Sequence, residues 1–189
     1  MIEIKKNCTL ETTWAELKDD IESGNNPLNV GDEIDIKLKT GERVTLVCER
    51  VENGHVTFFT KNLLEDTHAM DESGVVGNEK PLSTMDGYLE KLFRLLPEEL
   101  QAVASQLRLL REREVFGENL YGEPEKSEQL PRYREQKNRI KRLSGVPFPY
   151  WLASPYASNS DAFCSVRGDG SSTHNHTSES NGVCFGFDI

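Results

Sequence analysis

His174 and His176 lie two residues apart in a tract of hydroxyl and amide side chains, with Asp161 and Asp169 nearby. On one strand face both imidazoles would point the same way, which is how a metal is gripped from a strand. No third ligand completes the set, so we expect no metal and read both histidines as exposed surface residues. Serine, histidine and aspartate abound in the same tract, but abundance in a polar stretch is not a triad, which needs an oriented base beside the nucleophile. The cysteines are Cys8, Cys48, Cys164 and Cys184, with no CxxC spacing, so zinc is not expected. Cys48 and Cys184 sit in apolar, strand-like runs and read as buried thiols. A Cys164–Cys184 bridge is open geometrically, but the chain shows no export signal, which favours free thiols. Arg167-Gly168-Asp169 spells an integrin-binding tripeptide, yet Asp169-Gly170 already has a role as a tight turn. We therefore expect neither catalysis nor a cofactor.

The elements that position these residues are short. Ala162–Val166 and Val183–Phe187 read as strands, with Phe163, Val166, Val183, Phe185 and Phe187 as core. The run 171–181 between them holds no hydrophobic residue and should face water or a ligand. Upstream, Thr13-x-x-Glu16 is a capping box ahead of a helical face of Trp14, Leu17 and Ile21, over about residues 13–23. Alternating apolar residues from Ile34 onward, with turns at Thr40-Gly41-Glu42 and Asn53-Gly54, predict a three-stranded meander ending at Thr60. Residues 65–81 read as an irregular loop. Met85, Leu89, Leu92 and Phe93 mark a second amphipathic helix, and Pro97 restarts a helical stretch from Glu98 to about Leu107. The Glu/Arg-rich run at 107–114 reads as a solvated face, 117–132 as a surface loop, and Arg134–Leu143 as a short helix.

A net charge of −10 and a pI near 5.0 exclude a nucleic-acid surface, which needs a basic stripe to displace counterions. They also argue against docking on an anionic membrane. No apolar run is long enough to span a bilayer or act as a secretory signal. We therefore expect a cytoplasmic or virion-associated protein.

What is missing from the tract also informs. From Pro155 to Ser178 there is no Lys, Glu, Gln, Met or Trp, an absence with a chance probability of roughly a few in a thousand on composition. Those types are the ones a codon of the form NNC cannot encode. Randomised adenines in AAC codons would leave this pattern.

Trp151-Leu-Ala-Ser-Pro155, Phe163-Cys-x-Val166, Asp169-Gly170 and Asn181-Gly-Val-Cys-Phe-Gly-Phe187 together resemble the closing motif of a phage and gut-bacterial domain family. Leu96-Pro-x-Glu-Leu100 and Leu109-Leu-x-Glu-x-Glu-Val-Phe-Gly117 extend the likeness over most of residues 30–189. The end segment further resembles the variable region of diversity-generating retroelement proteins. The resemblance implies an α+β, C-type-lectin-like fold with two amphipathic helices and small antiparallel sheets. It implies an N-terminal strand–helix segment (1–30) packed on one domain (31–189), whose variable region spans about 151–189. It also implies a scaffold of Trp151, Ser154, Pro155, Phe163, Val166, Gly170, Gly182, Val183, Phe185 and Phe187. The outward, ligand-binding set would be Tyr156, Asp161, Ala162, Ser165, Arg167, Gly168, Thr173, His174, Asn175, His176 and Thr177.

The chain departs from the family at Ala153, where arginine is common, and at Cys184-Phe185, where many members have Arg-Pro. It lacks the Glu-Pro-Asn, Gln-Pro-Asp and Trp-Asn-Asp motifs of sugar-binding lectins, so calcium is not expected. The implied function is recognition of a protein or cell-surface ligand. Two alternatives stand beside it: a virion structural or assembly protein with a polar contact surface, and a relative of the formylglycine-generating enzymes using Cys164 and Cys184.

Overall fold

Alternation starts the first sheet: in β1 (Ile2–Lys5) the isoleucines point inward, while Glu3 and Lys5 face water. The computed structural model describes residues 1–5, 10–52, 54–72 and 84–189. Cys8, Asn53 of the expected turn, and 73–81 of the expected loop lie outside the described residues. After β2 (Leu10–Thr12) comes α1 (Trp14–Glu22), with the expected capping box. The Thr13 hydroxyl accepts the Glu16 N–H at 3.2 Å, and the Glu16 carboxylate accepts the Thr13 N–H at 2.9 Å. The cap fixes the entry angle that buries Trp14, Leu17 and Ile21. Thr13→Ala should cost about 1 kcal/mol, read as a lower urea midpoint at unchanged slope.

The meander forms as the sequence predicts, from β3 (Glu33–Lys37), β4 (Arg43–Glu52) and β5 (His55–Thr60). A bulge between Cys48 and Arg50 leaves Glu49 without a ladder partner and turns its side chain inward. Then follow β6 (Thr67–Ala69), α2 (Thr84–Leu95), α3 (Glu98–Gln101), β7 (Arg108–Leu109), α4 (Glu112–Phe116), β8 (Arg142–Leu143) and β9 (Val146–Pro147). The chain closes with β10 (Tyr150–Pro155), β11 (Ala162–Val166), β12 (Ser172–His176), β13 (Ser180–Gly182) and β14 (Phe185–Asp188).

The fold is mixed α+β, with mostly antiparallel sheets and few helices. The larger sheet runs β2-β1-β3-β4-β5-β14-β7 and the smaller runs β12-β11-β10-β13-β6. Residues 1–30 share this framework, since β1 pairs with β3 and α1 enters the same core. Phe58 meets Trp14 edge-on at 6.2 Å and stacks on Phe187 at 5.6 Å. Phe59, on the opposite face of β5, packs in a second core with Tyr150, Leu152, Val166 and Cys184. Gly186 is required where β14 meets β5, because a Cβ there would lie 2.4 Å from the Phe58 carbonyl oxygen.

Four sequence expectations change. The stretch 65–81, expected to be irregular, contains β6, which pairs with β13. The helix expected to reach Leu107 ends at Gln101, because the Ser105 N–H and hydroxyl bond the backbone of Asp188 at 2.8 Å and draw the chain out along β14. Arg134–Leu143 is not a helix. Two short 3-10 turns, Pro131–Arg134 and Gln136–Asn138, flank an extended Glu135, and Asn138 and Arg139 side chains take up the carbonyls of Arg132 and Tyr133 at 2.7 Å. Finally, the run 107–114 is not a solvated face, since Glu112 and Glu114 are buried. Glu114 is held by both guanidinium nitrogens of Arg108 at 2.9 Å, a bidentate, charge-assisted pair. No helix among the described residues is long and apolar enough to cross a membrane.

Candidate ligand-binding face

β11 and β12 form an antiparallel hairpin at the outer edge of the smaller sheet, and their register decides which side chains share a face. Val166 is opposite Ser172, Cys164 opposite His174, and Ala162 opposite His176. Directly opposed residues project to the same side. Along this side β12 therefore runs from half-buried Ser172 to exposed His174 and His176. The reverse side carries Phe163, Ser165, Thr173 and Asn175.

Glu112, fully buried, anchors the loop lying over the first side. Its carboxylate accepts the backbone N–H groups of Leu120 at 3.0 Å, Tyr121 at 3.1 Å and Gly122 at 2.8 Å. It also accepts the Ser172 hydroxyl at 3.2 Å. A carboxylate so surrounded by donors acts as a cap for a turn that has no helix to cap it. The loop is laced further to the strand end: Ala157 N–H donates to the Tyr121 carbonyl at 2.9 Å, and Gly122 bridges Tyr156. A Cβ at Gly122 would lie 3.0 Å from the Glu112 carboxylate and 3.2 Å from Cys164 Sγ, so a larger residue there would press on both. Ser154 donates to Glu125 and accepts the Glu112 N–H at 2.8 Å.

On this mount sit three rings. Tyr156 stacks on His174 with centroids 4.0 Å apart and planes 10° from parallel. Tyr121 leans on His174 at 5.2 Å and meets Tyr156 edge-on at 6.2 Å. Tyr121 and His174 are exposed and Tyr156 half-buried. Large amphipathic rings already held in place lose little entropy on binding, which is why such side chains dominate contact energies at interfaces. No known protein family matches the chain, and no curated protein or solved structure matches it significantly. Function must therefore be argued from this geometry.

Of the sequence-predicted outward set, Tyr156, Asp161, Arg167, Gly168, Thr173, His174, Asn175 and His176 are exposed or half-exposed. Three are corrected. Ala162 is buried on the side shared with Cys164. Ser165 is buried opposite Trp151 and donates to Asn175 Oδ1 at 2.5 Å. Thr177 is buried where its N–H bonds the Asp161 carbonyl at 2.9 Å and its carbonyl accepts the Asp71 N–H at 3.0 Å. Of the scaffold set, Phe163 is half-buried and Pro155 exposed, and the others are buried.

The exposed positions form two groups at opposite ends of the hairpin. His176, Asp161 and the stacked rings are at one end. Arg167 and Gly168 are at the other, on a turn that Gln136 Nε2 holds through the Asp169 carbonyl at 2.9 Å. The Asp169 carboxylate accepts the N–H and hydroxyl of Ser171 at 2.9 and 2.6 Å, which lowers its pKa. It is a turn-former, as Asp-Gly suggested.

Cys164 and Cys184 are buried free thiols. Burial and the neighbouring Glu112 carboxylate push the Cys164 thiol up, the reverse of what a reactive cysteine needs. Among the described residues no three His, Cys, Asp or Glu side chains converge as metal ligands.

Sequence reasoning missed Tyr121, Glu112, Glu125 and Ser154's role beneath the rings. Glu112 did leave a signal. It lies three residues before Val115 and four before Phe116, so helical spacing puts it on the apolar side of its own segment.

Proposed function

We propose that this chain is a ligand-recognition protein of C-type-lectin-like fold, with no catalytic role, whose binding face is the hairpin end bearing Tyr121, Tyr156 and His174. The observation that carries the reading is the mounting of three partly exposed rings on a loop fixed by one buried carboxylate. That is a preorganised contact surface, which reduces the ordering cost of association. The raised Cys164 thiol supports binding over thiol chemistry. We further propose that the hairpin is diversified in the manner of retroelement variable proteins, at the ring-bearing end, at the opposite turn of Arg167 and Gly168, and at Thr173 and Asn175 on the reverse side. The eight exposed positions named above contribute little to the core, and surface changes usually alter stability by about 0.5 kcal/mol or less.

The test is a library randomised with NNC codons at those eight positions and, separately, at Ala162, Ser165 and Thr177. Members of the first library should melt within a few degrees of the parent, and members of the second should mostly fail to fold. If the first library also collapses, the face is structural and the proposal fails. In the gene, AAC-derived codons at these positions with a near-copy repeat and a reverse transcriptase nearby are the expected genetic signature, and their absence would remove the diversification claim.

A further inference from the structure

Three buried polar atoms have no hydrogen-bond partner among the described residues, Glu49 Oε2, Thr60 Oγ1 and the Tyr133 hydroxyl, and all three belong to residues that neighbour Lys141. The lysine is itself buried. Its ammonium donates to the Thr60 carbonyl at 2.6 Å and the Lys61 carbonyl at 3.3 Å, and lies 5.6 Å from the Tyr133 ring centre. An ammonium has three donors, so one remains. Glu49 Oε1 accepts from Arg132 at 2.7 Å, while Oε2 is idle. Buried polar atoms are rarely left unbonded, because losing water without a substitute is costly.

Glu49 and Lys141 line one cleft of about 330 Å³, between the bulge of β4 and the 131–142 segment. Such a volume suits a small solute. Lys61, Arg132, Lys137 and Arg142 also border it, and Glu49 is the one carboxylate in the wall. In a chain of net charge −10 this is a local reversal of sign. Lys61 and Lys137 are paired with Glu33 and Glu135 at 2.6 Å and Arg132 with Glu49 at 2.7 Å. This leaves buried Lys141 and, at the exposed rim, Arg142 without a carboxylate partner among the described residues, with Arg132 able to turn its remaining N–H groups to a ligand. The wall thus offers donors to an anion and one carboxylate acceptor that a simple anion would be repelled by.

We propose that this cleft binds a small oxyanion carrying its own O–H, hydrogen phosphate being the simplest, with Lys141, Arg132 and Arg142 on its charged oxygens and Glu49 Oε2 accepting its hydroxyl. The site lies apart from the aromatic face and does not depend on the function proposed for it. A carboxylate in an otherwise cationic wall selects against anions of the same shape that lack a proton.

The experiment is calorimetric titration of the full chain at neutral pH with inorganic phosphate, sulfate and D-glucuronate. Phosphate should saturate, and sulfate, equal in shape but with no O–H, should bind about a hundredfold more weakly or worse. Glucuronate surpassing phosphate would keep the proposal and identify an organic hydroxycarboxylate as the occupant. Glu49→Gln should close the gap between phosphate and sulfate, since the amide N–H can serve sulfate. Arg142 is exposed, so Arg142→Ala is expected to cost little stability: it should weaken phosphate and leave the preference over sulfate intact. Equal binding of sulfate and phosphate to the parent chain, or no saturable heat with any of the three, would overturn the proposal.

Discussion

Glu112→Ala should lower the unfolding free energy by about 3–5 kcal/mol, because it removes one acceptor from four donors at once, the Gly122 N–H among them being buried. The carboxylate accepts three consecutive N–H groups and the Ser172 hydroxyl, so its removal leaves the 120–122 turn without an acceptor. For a chain of 189 residues this corresponds to a fall in Tm of roughly 10 °C. Glu112→Gln is the sharper probe. It keeps the volume, and its amide oxygen, standing where Oε2 stands, can still accept all three N–H groups while the amide nitrogen donates to the Ser172 hydroxyl. We expect it to recover most of the alanine loss, measured by urea unfolding with an unchanged slope. A loss as large as that of alanine would mean that the negative charge itself, and not the acceptor geometry, holds the loop. The same variants should disturb Tyr121 most, which places the face under direct control of one buried side chain.

Trp151→Ala is expected to be comparably severe, at about 3–5 kcal/mol for an emptied core site. The indole is fully buried, and its Nε1–H donates to the His68 carbonyl at 2.7 Å. The His68 ring in turn lies tilted against Tyr88 of α2, with centroids 3.7 Å apart, so the tryptophan ties β10 to β6 and, through it, to the helix. Trp151→Phe separates the two contributions. It retains most of the apolar contact but orphans the carbonyl, and should cost about 1–3 kcal/mol. Calorimetric unfolding of both variants checks the order. If phenylalanine proves as damaging as alanine, the hydrogen bond outweighs the packing.

What the sequence made legible was whatever rests on local periodicity. Thr13 and Glu16 announced their helix, alternation from Ile34 announced the meander, and Ala162–Val166 falls on β11 as expected. The failures share another cause. Ala162, Ser165 and Thr177 are small or polar, so composition makes them surface residues, yet cross-strand register and backbone bonding put them inside. Glu112, Glu114 and Lys141 are charged, and a charge is buried only where partners meet it. For Glu112 and Lys141 these include Ser172 and the Thr60 carbonyl, far away in the chain, whereas Glu114 meets Arg108 six residues back, through a turn that helical spacing does not describe. Tyr121 was missed for the same reason, since only the carboxylate-held loop brings it to Tyr156 and His174.

The insertion of β14 between β5 and β7 has a consequence for how such a chain folds. Thr57 and Asp188, bonded at 2.6 Å, are 131 residues apart in the chain, and the whole hairpin of β11 and β12 lies inside the loop they close. A sheet completed over that span folds late and slowly. Until β14 docks between β5 and β7, Phe58, Phe185 and Phe187 stay uncovered, the kind of surface that chaperones and proteases act on. The last of the sheet's strands to be synthesised is thus the one that seals the apolar seam.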